Sequence, residues 1–133
     1  MKNDLRRKIM QANKPANTRP EIRVRKALHA LGYRFRIHRK DLPGKPDIVL
    51  PKHNLVLFVH GCFWHQHPGC YLASKPKTRQ EFWKAKFEAN RLRDKGNQLA
   101  LKEMGWRVEV IWECQTMDNG KLSERLQALI NPQ

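Results

Sequence analysis

The rhythm of apolar positions changes several times along the chain, and each change marks an element. Val24, Ala27, Leu28 and Leu31 recur at helical spacing behind Thr18-Arg19-Pro20-Glu21, a helix start in which the Thr18 hydroxyl caps and Glu21 reaches back, with Gly32 as terminator. Tyr33, Phe35 and Ile37 then alternate with Arg34, Arg36 and His38, the period of a half-buried strand with a basic outer face. Asp41-Leu42-Pro43-Gly44-Lys45-Pro46 is turn chemistry, and Pro46 biases Lys45 to an extended conformation, so a strand is expected from Asp47. Ile48-Val49-Leu50 and Leu55-Val56-Leu57-Phe58-Val59 are apolar without alternation, the pattern of central strands covered on both faces, with Pro51-Lys52-His53-Asn54 turning between them. Thr78-Arg79-Gln80-Glu81 repeats the capping-box pattern and opens a long helix to about Met104, closed by Gly105. Its expected inner stripe is Phe82, Ala85, Ala89, Leu92, Leu99 and Met104, leaving Lys84, Lys86, Arg91, Arg93 and Lys95 in water. Gly96 costs about 1 kcal/mol against alanine in a helix and predicts a kink or break. A strand over 107–112 follows, then the Asn119-Gly120 turn and a helix over 121–130 with Leu122, Leu126, Leu129 and Ile130 on one face. The order helix, strand, strand, strand, long helix, strand, helix predicts an α/β sandwich around a mixed sheet.

Length and charge narrow what such a domain does. The 133 residues suit one domain, here 18–133, behind a polar basic arm over 1–17 that Pro15 interrupts. Lys and Arg number 27 against 12 Asp and Glu, a net charge of +15 spread along the whole chain, and such a field attracts polyanions, nucleic acid first. No run is long and apolar enough to span a membrane, and Met1-Lys2-Asn3-Asp4 lacks a signal-peptide core, so the expected setting is cytoplasmic, with no membrane partner.

The densest chemistry lies in His60-Gly61-Cys62-Phe63-Trp64-His65-Gln66-His67-Pro68-Gly69-Cys70. Cys62, His67 and Cys70 have the spacing of a zinc knuckle, which needs a fourth ligand, and Cys114 is the only other cysteine. Buried free thiols beside surface histidines are the plainer alternative. His60 and His65 remain for proton transfer, since histidine titrates near neutral pH. Asp47 lies at the mouth of one buried strand, beside the strand that ends in His60. A carboxylate there is costly unless it meets donors or a cation, and an oxygen ligand beside backbone carbonyls and phosphate is how Mg²⁺ is held.

Four stretches together, Leu42-Pro43-Gly44-Lys45-Pro46-Asp47, Phe58 to His65, Thr78 to Trp83, and Gly105-Trp106-Arg107 with Trp112-Glu113-Cys114, resemble the very-short-patch-repair (Vsr) mismatch endonucleases, in the same order and with similar spacing. The resemblance implies a restriction-endonuclease-like three-layer sandwich with a central mixed sheet and a structural zinc site. It implies an enzyme that nicks one DNA strand beside T·G mismatches left by deamination of 5-methylcytosine. On this resemblance Asp47 binds Mg²⁺ with the backbone carbonyl of Val59. His65 is the catalytic histidine, oriented by Asp94, and Glu21 and His60 support the hydrated ion. Cys62, His67, Cys70 and Cys114 hold structural Zn²⁺. Phe63, Trp64 and Trp83 form a wedge that enters the base stack, and Asn90, one turn before Asp94, is a further polar supporter on the DNA-binding side. Val59 stands where the family often has threonine, which a carbonyl ligand tolerates, and His60 lies where the restriction-type lysine is missing. The implied partner is double-stranded DNA with a T·G mismatch, with mismatch-repair proteins as further partners and the chain acting as a monomer. Two other readings stay open: a nuclease of the same fold acting on another DNA structure, as in defence, and a zinc-stabilised DNA-binding module without catalysis.

Overall fold

The computed structural model describes residues 18–132, so the basic arm over 1–17 lies outside the described residues. Helix α1 (Arg19–Ala30) starts where the Thr18 side chain accepts from the Glu21 amide. After it, Tyr33, Phe35 and Ile37 pack on the core at alternate positions, yet the expected strand does not form: Arg36 makes one antiparallel bridge to Val49 and nothing more. The strand it would join, β1 (Ile48–Leu50), is three residues long, and His38 turns the chain away at φ 58°. A short edge offers few ladder partners, so tertiary packing keeps the period and drops the pairing.

The sheet has the order β1-β2-β3, with β2 (Leu55–His60) antiparallel to β1 and β3 (Arg107–Trp112) parallel to β2. It is mixed, as the order of elements predicted. A 3₁₀ turn over Pro51–His53 links β1 to β2, ending at left-handed Asn54. Both strands expected to be covered on two faces are so covered. Leu55, Leu57 and Val59 pack with Val24, Leu28, Ile111 and α3 (Asn119–Ile130), whose Leu122, Leu126 and Ile130 are buried. Val56 and Phe58 point the other way, into a smaller cluster with Leu42, Val49 and Leu101. Helix α3 begins two residues before the expected Lys121, because Asp118 caps it by accepting from the Lys121 amide at 3.0 Å.

Helix α2 (Gln80–Glu103) departs most from its expected form. The capping box is absent: Arg79 enters in the left-handed region at φ 53°, without a side-chain cap, which leaves Thr78 outside the first turn. The helix runs unbroken through Gly96. Its expected stripe is wrong as well, because Phe82, Leu92, Leu99 and Met104 are exposed by 43–63%. The inward face is Trp83, Phe87, Asn90, Asp94, Asn97 and Leu101, which recur at three- and four-residue steps. Hydrophobicity pointed to the wrong side because the middle of this face lines a cleft and is polar. Gly44, at φ 73°, presses the turn before β1 against α2, where a Cβ would lie 2.8 Å from that of Asn97. Among the described residues no helix is long and apolar enough to cross a membrane.

Candidate active site and metal centre

A cleft of about 880 Å³ opens between the mouth of β1 and β2, the turn before β1 and the middle of α2, and Glu21, Asp47, His60, His65, Asn90 and Asp94 all line it. Ile48 and Leu57 are the last paired residues of the β1–β2 ladder. One residue further, Asp47 replaces backbone with side chain: its Oδ2 accepts from the Val59 amide at 2.6 Å. This bond fixes the carboxylate beside Val59. Burial pushes the Asp47 carboxyl up to about 7; the Val59 amide pulls it back, and the Glu21 carboxylate raises it again. Glu21 is itself only 4% exposed and pairs with Arg25 at 3.0 Å. Two adjoining buried carboxylates repel, and a divalent cation relieves them. The oxygen-rich donor set at Asp47 therefore fits a hard cation.

Across the cleft, His65 Nδ1 and Asp94 Oδ2 are 2.6 Å apart. Burial would raise the Asp94 carboxyl, but the hydrogen bond to His65 leaves it lower than usual, with Arg93 adding to the effect, so it is the acceptor and Nδ1 carries the proton. That tautomer leaves Nε2 of a neutral His65 with its lone pair. The His60 ring lies face to face with His65, centroids 3.8 Å apart at 5°. Burial, and then the neighbouring His65, push His60 down to about 4, so it is neutral at physiological pH. Donor atoms of His60, His65 and Asp94 lie within 4.8 Å of one another, close enough to suggest a metal site. Ring orientation argues otherwise: nitrogen lone pairs lie in the ring planes, and stacked parallel rings cannot aim them at one ion. What the three share is the His65–Asp94 hydrogen bond and the His60–His65 stack.

The second constellation is the Cys62–Cys70 loop against the end of β3. Cys62, His67, Cys70 and Cys114 bring one donor atom each within 4.8 Å of the others. His67 Nδ1 lies 3.8 Å from Cys62 Sγ and 3.5 Å from Cys114 Sγ. A tetrahedral ion with bonds of about 2.0–2.3 Å sets its ligands about 3.5–3.8 Å apart, so these spacings suit a metal centre of three thiolates and one imidazole. Burial pushes the Cys62 thiol up to about 12, so a cation must displace its proton to bind. Trp112 stacks on the His67 ring at 4.1 Å and 9°, and Glu113 accepts from the Cys62 amide at 3.2 Å. Glu113 was not foreseen as a site residue; its place beside Cys114 was the available signal.

Between the two constellations Phe63 and Trp64 pack with Trp83 and Phe87 in an aromatic cluster of their own. Phe63 meets Trp64, Trp83 and Phe87 edge-on at 5.4–5.6 Å, the favoured geometry. Trp83 is only 3% exposed and forms the floor, whereas Phe63 and Trp64 reach the cleft. Phe87, one helical turn after Trp83, was missed for want of any motif. Asn90 donates to the Trp64 carbonyl at 3.3 Å and so holds the loop.

A carboxylate pair facing a histidine–aspartate couple in a strongly basic α/β chain, with a Cys/His cluster able to hold a metal alongside, fits a class: enzymes that hydrolyse nucleic-acid phosphodiesters. Comparison with known proteins names the family. The chain belongs to the family described as DNA mismatch endonuclease Vsr, whose sequence profile matches residues 1–72. It is 55% identical over 127 residues to the type II nicking enzyme V.XorIIP of Xanthomonas oryzae pv. oryzae, covering 96% of this chain and 93% of that one. It is 42% identical over 119 residues to the DNA mismatch endonuclease Vsr of Escherichia coli K12, covering 90% and 76%. It is also 42% identical over 113 residues to the type II nicking enzyme V.NmeAIP of Neisseria meningitidis serogroup A, covering 85% and 80%.

Proposed function

We propose that this protein is a Mg²⁺-dependent endonuclease that nicks one strand of duplex DNA beside a T·G mismatch. The observation that carries the reading is the cleft itself, where Asp47, held on the Val59 amide, shares one cavity with the His65–Asp94 couple. The mixed sheet with apolar clusters on both faces supports a restriction-endonuclease-like three-layer sandwich. Asp47 and the Val59 carbonyl would hold Mg²⁺, with Glu21 and His60 behind them. The ion, when bound, would neutralise phosphate charge and acidify water.

The chain's own residues supply the rest. His65 Nε2 accepts the proton of the attacking water, and Asp94 fixes the ring and stabilises the imidazolium that forms. His60, neutral and stacked on His65, holds that ring in plane without competing for the proton. Cys62, His67, Cys70 and Cys114 would hold a structural Zn²⁺, the ion that three thiolates and an imidazole at tetrahedral spacing suit best. The loop it clamps carries Phe63, Trp64 and His65, so the metal centre fixes the wedge and the base together. Phe63 and Trp64 enter the stack, with buried Trp83 as their support and Asn90 bracing the loop. A mismatched pair unstacks at a cost of a few kcal/mol or less, which selects for it.

The test is incubation with Mg²⁺ and short duplexes that differ only by one T·G pair, followed by strand-resolved detection of nicks. Cleavage of the mismatched duplex on one strand is expected. Equal cleavage of the matched duplex, or none of either, would overturn the assignment.

A further inference from the structure

A second groove, of about 990 Å³, shares no lining residue with the active-site cleft and lies between the Cys62–Cys70 loop with its continuation to Pro76 and the first half of α2. Trp83 and Phe87 form its floor, and Lys75, Lys84 and Arg91 stand on its walls against one acid, Glu88. All three cations are exposed, and none is in an ion pair among the described residues. Tyr71 at the lip is 79% exposed, far more than an aromatic ring needs for packing.

Helix geometry explains the arrangement. Lys84 and Arg91 are seven residues apart, so they project from one side of α2 about 10 Å apart along its axis. Lys86 and Arg93, also seven apart, project from another side, Lys86 over the Trp64 ring at 5.6 Å and Arg93 into the active-site cleft. Cations thus flank the aromatic cluster on both sides. A wedge in a duplex has DNA on each side of it, and only one of these sides holds the cut. Three cations, an aromatic lip and an apolar floor suit a sugar-phosphate backbone better than an acidic protein segment, which has no planar bases to stack on Tyr71.

We infer that this groove takes the phosphate backbone of the DNA on the side of the wedge away from the cut, with Lys75, Lys84 and Arg91 on phosphates and Tyr71 against a sugar or base. The inference rests on the DNA-nicking reading, and it adds a docking surface that makes no use of the catalytic residues. Phosphate contacts carry no sequence information, so the groove sets affinity and leaves discrimination to the wedge.

The experiment measures duplex affinity over a salt series for the parent, for Lys84→Ala/Arg91→Ala and for Lys52→Ala/Lys121→Ala, a pair of equal charge on other elements. Two lost phosphate contacts should lower the slope of log K against log salt by about 1.8, because each contact contributes about 0.9. The loss should be equal on mismatched and matched duplexes, with the slope of the second pair unchanged. Tyr71→Ala should weaken binding and Tyr71→Phe should restore it. A full parental slope in the Lys84/Arg91 variant overturns the groove, and is what a site for an acidic protein would give; so does an equal drop in both double variants, which is bulk charge. A parent chain that binds no DNA at any salt defeats the nuclease reading first, and the groove with it.

Discussion

Replacing Asp47 by asparagine separates the stability of the cleft from its chemistry. Asparagine keeps the shape and an oxygen for the Val59 amide, and replaces the ionisable oxygen by an amide nitrogen that cannot titrate. In the folded, metal-free chain the Asp47 carboxyl is raised to about 7 from 3.8, by burial first and by Glu21 after it. A folded-state value above the unfolded one means that the folded chain holds the proton longer. The stability so contributed is complete below about pH 4 and is lost as pH rises, until both states are ionised above about pH 7. Between pH 5 and pH 8 this linkage amounts to a few kcal/mol, on the order of 10 °C in Tm for a domain of this size. Urea unfolding without added Mg²⁺ and without chelator, so that any metal on the thiolate cluster is kept, should show the wild type losing a few kcal/mol more than Asp47→Asn over that interval. Mg²⁺ should recover the wild type at pH 8 and leave the variant unmoved, and nicking by the variant should vanish while mismatch binding persists. Parallel pH–stability curves for the two proteins would refute the account of Asp47 as a buried carboxylate poised for a cation.

Cys114→Ser should release the structural ion and lower thermal stability, because binding energy at such a centre is folding energy; elemental analysis of the purified wild type must then find about one zinc per chain. His65→Ala should slow nicking about 10²- to 10⁴-fold with DNA affinity retained, as single-turnover rates at saturating enzyme would report. Asp94→Asn exchanges a charge-assisted bond worth about 1.5–3 kcal/mol for a neutral one, so the same assay should fall about 10- to 100-fold. Trp64→Ala should narrow the ratio of mismatched to matched affinity without removing salt dependence, and an unchanged ratio would take Trp64 out of the wedge.

Much of this protein could be read along the chain. The buried strands β1 and β2 were legible because runs such as Leu55-Val56-Leu57-Phe58-Val59 are uninterrupted, too short for a buried helix and bounded by the Pro51–Asn54 turn, which suits a sheet covered on both faces. The Cys62, His67 and Cys70 spacing pointed to a metal loop, since thiolates and imidazole so close in sequence are close in space whatever the fold. Other features depended on what lies opposite. Tyr33, Phe35 and Ile37 kept the strand period without the strand, because pairing needs a partner edge and β1 offers three residues. The inward face of α2 was decided by the cleft: Asn90, Asp94 and Asn97 turn in because Asp47, His60 and His65 line the same cavity, and Leu92 and Leu99 turn out as a consequence. Residues 12 to 51 positions apart meet in this cleft and in the metal centre, as Asp47 meets Val59, His65 meets Asp94, and Cys62 meets Glu113. Periodicity reports what each segment buries on its own account; which polar groups share a cavity is set by how segments pack, and only the tertiary structure holds that information.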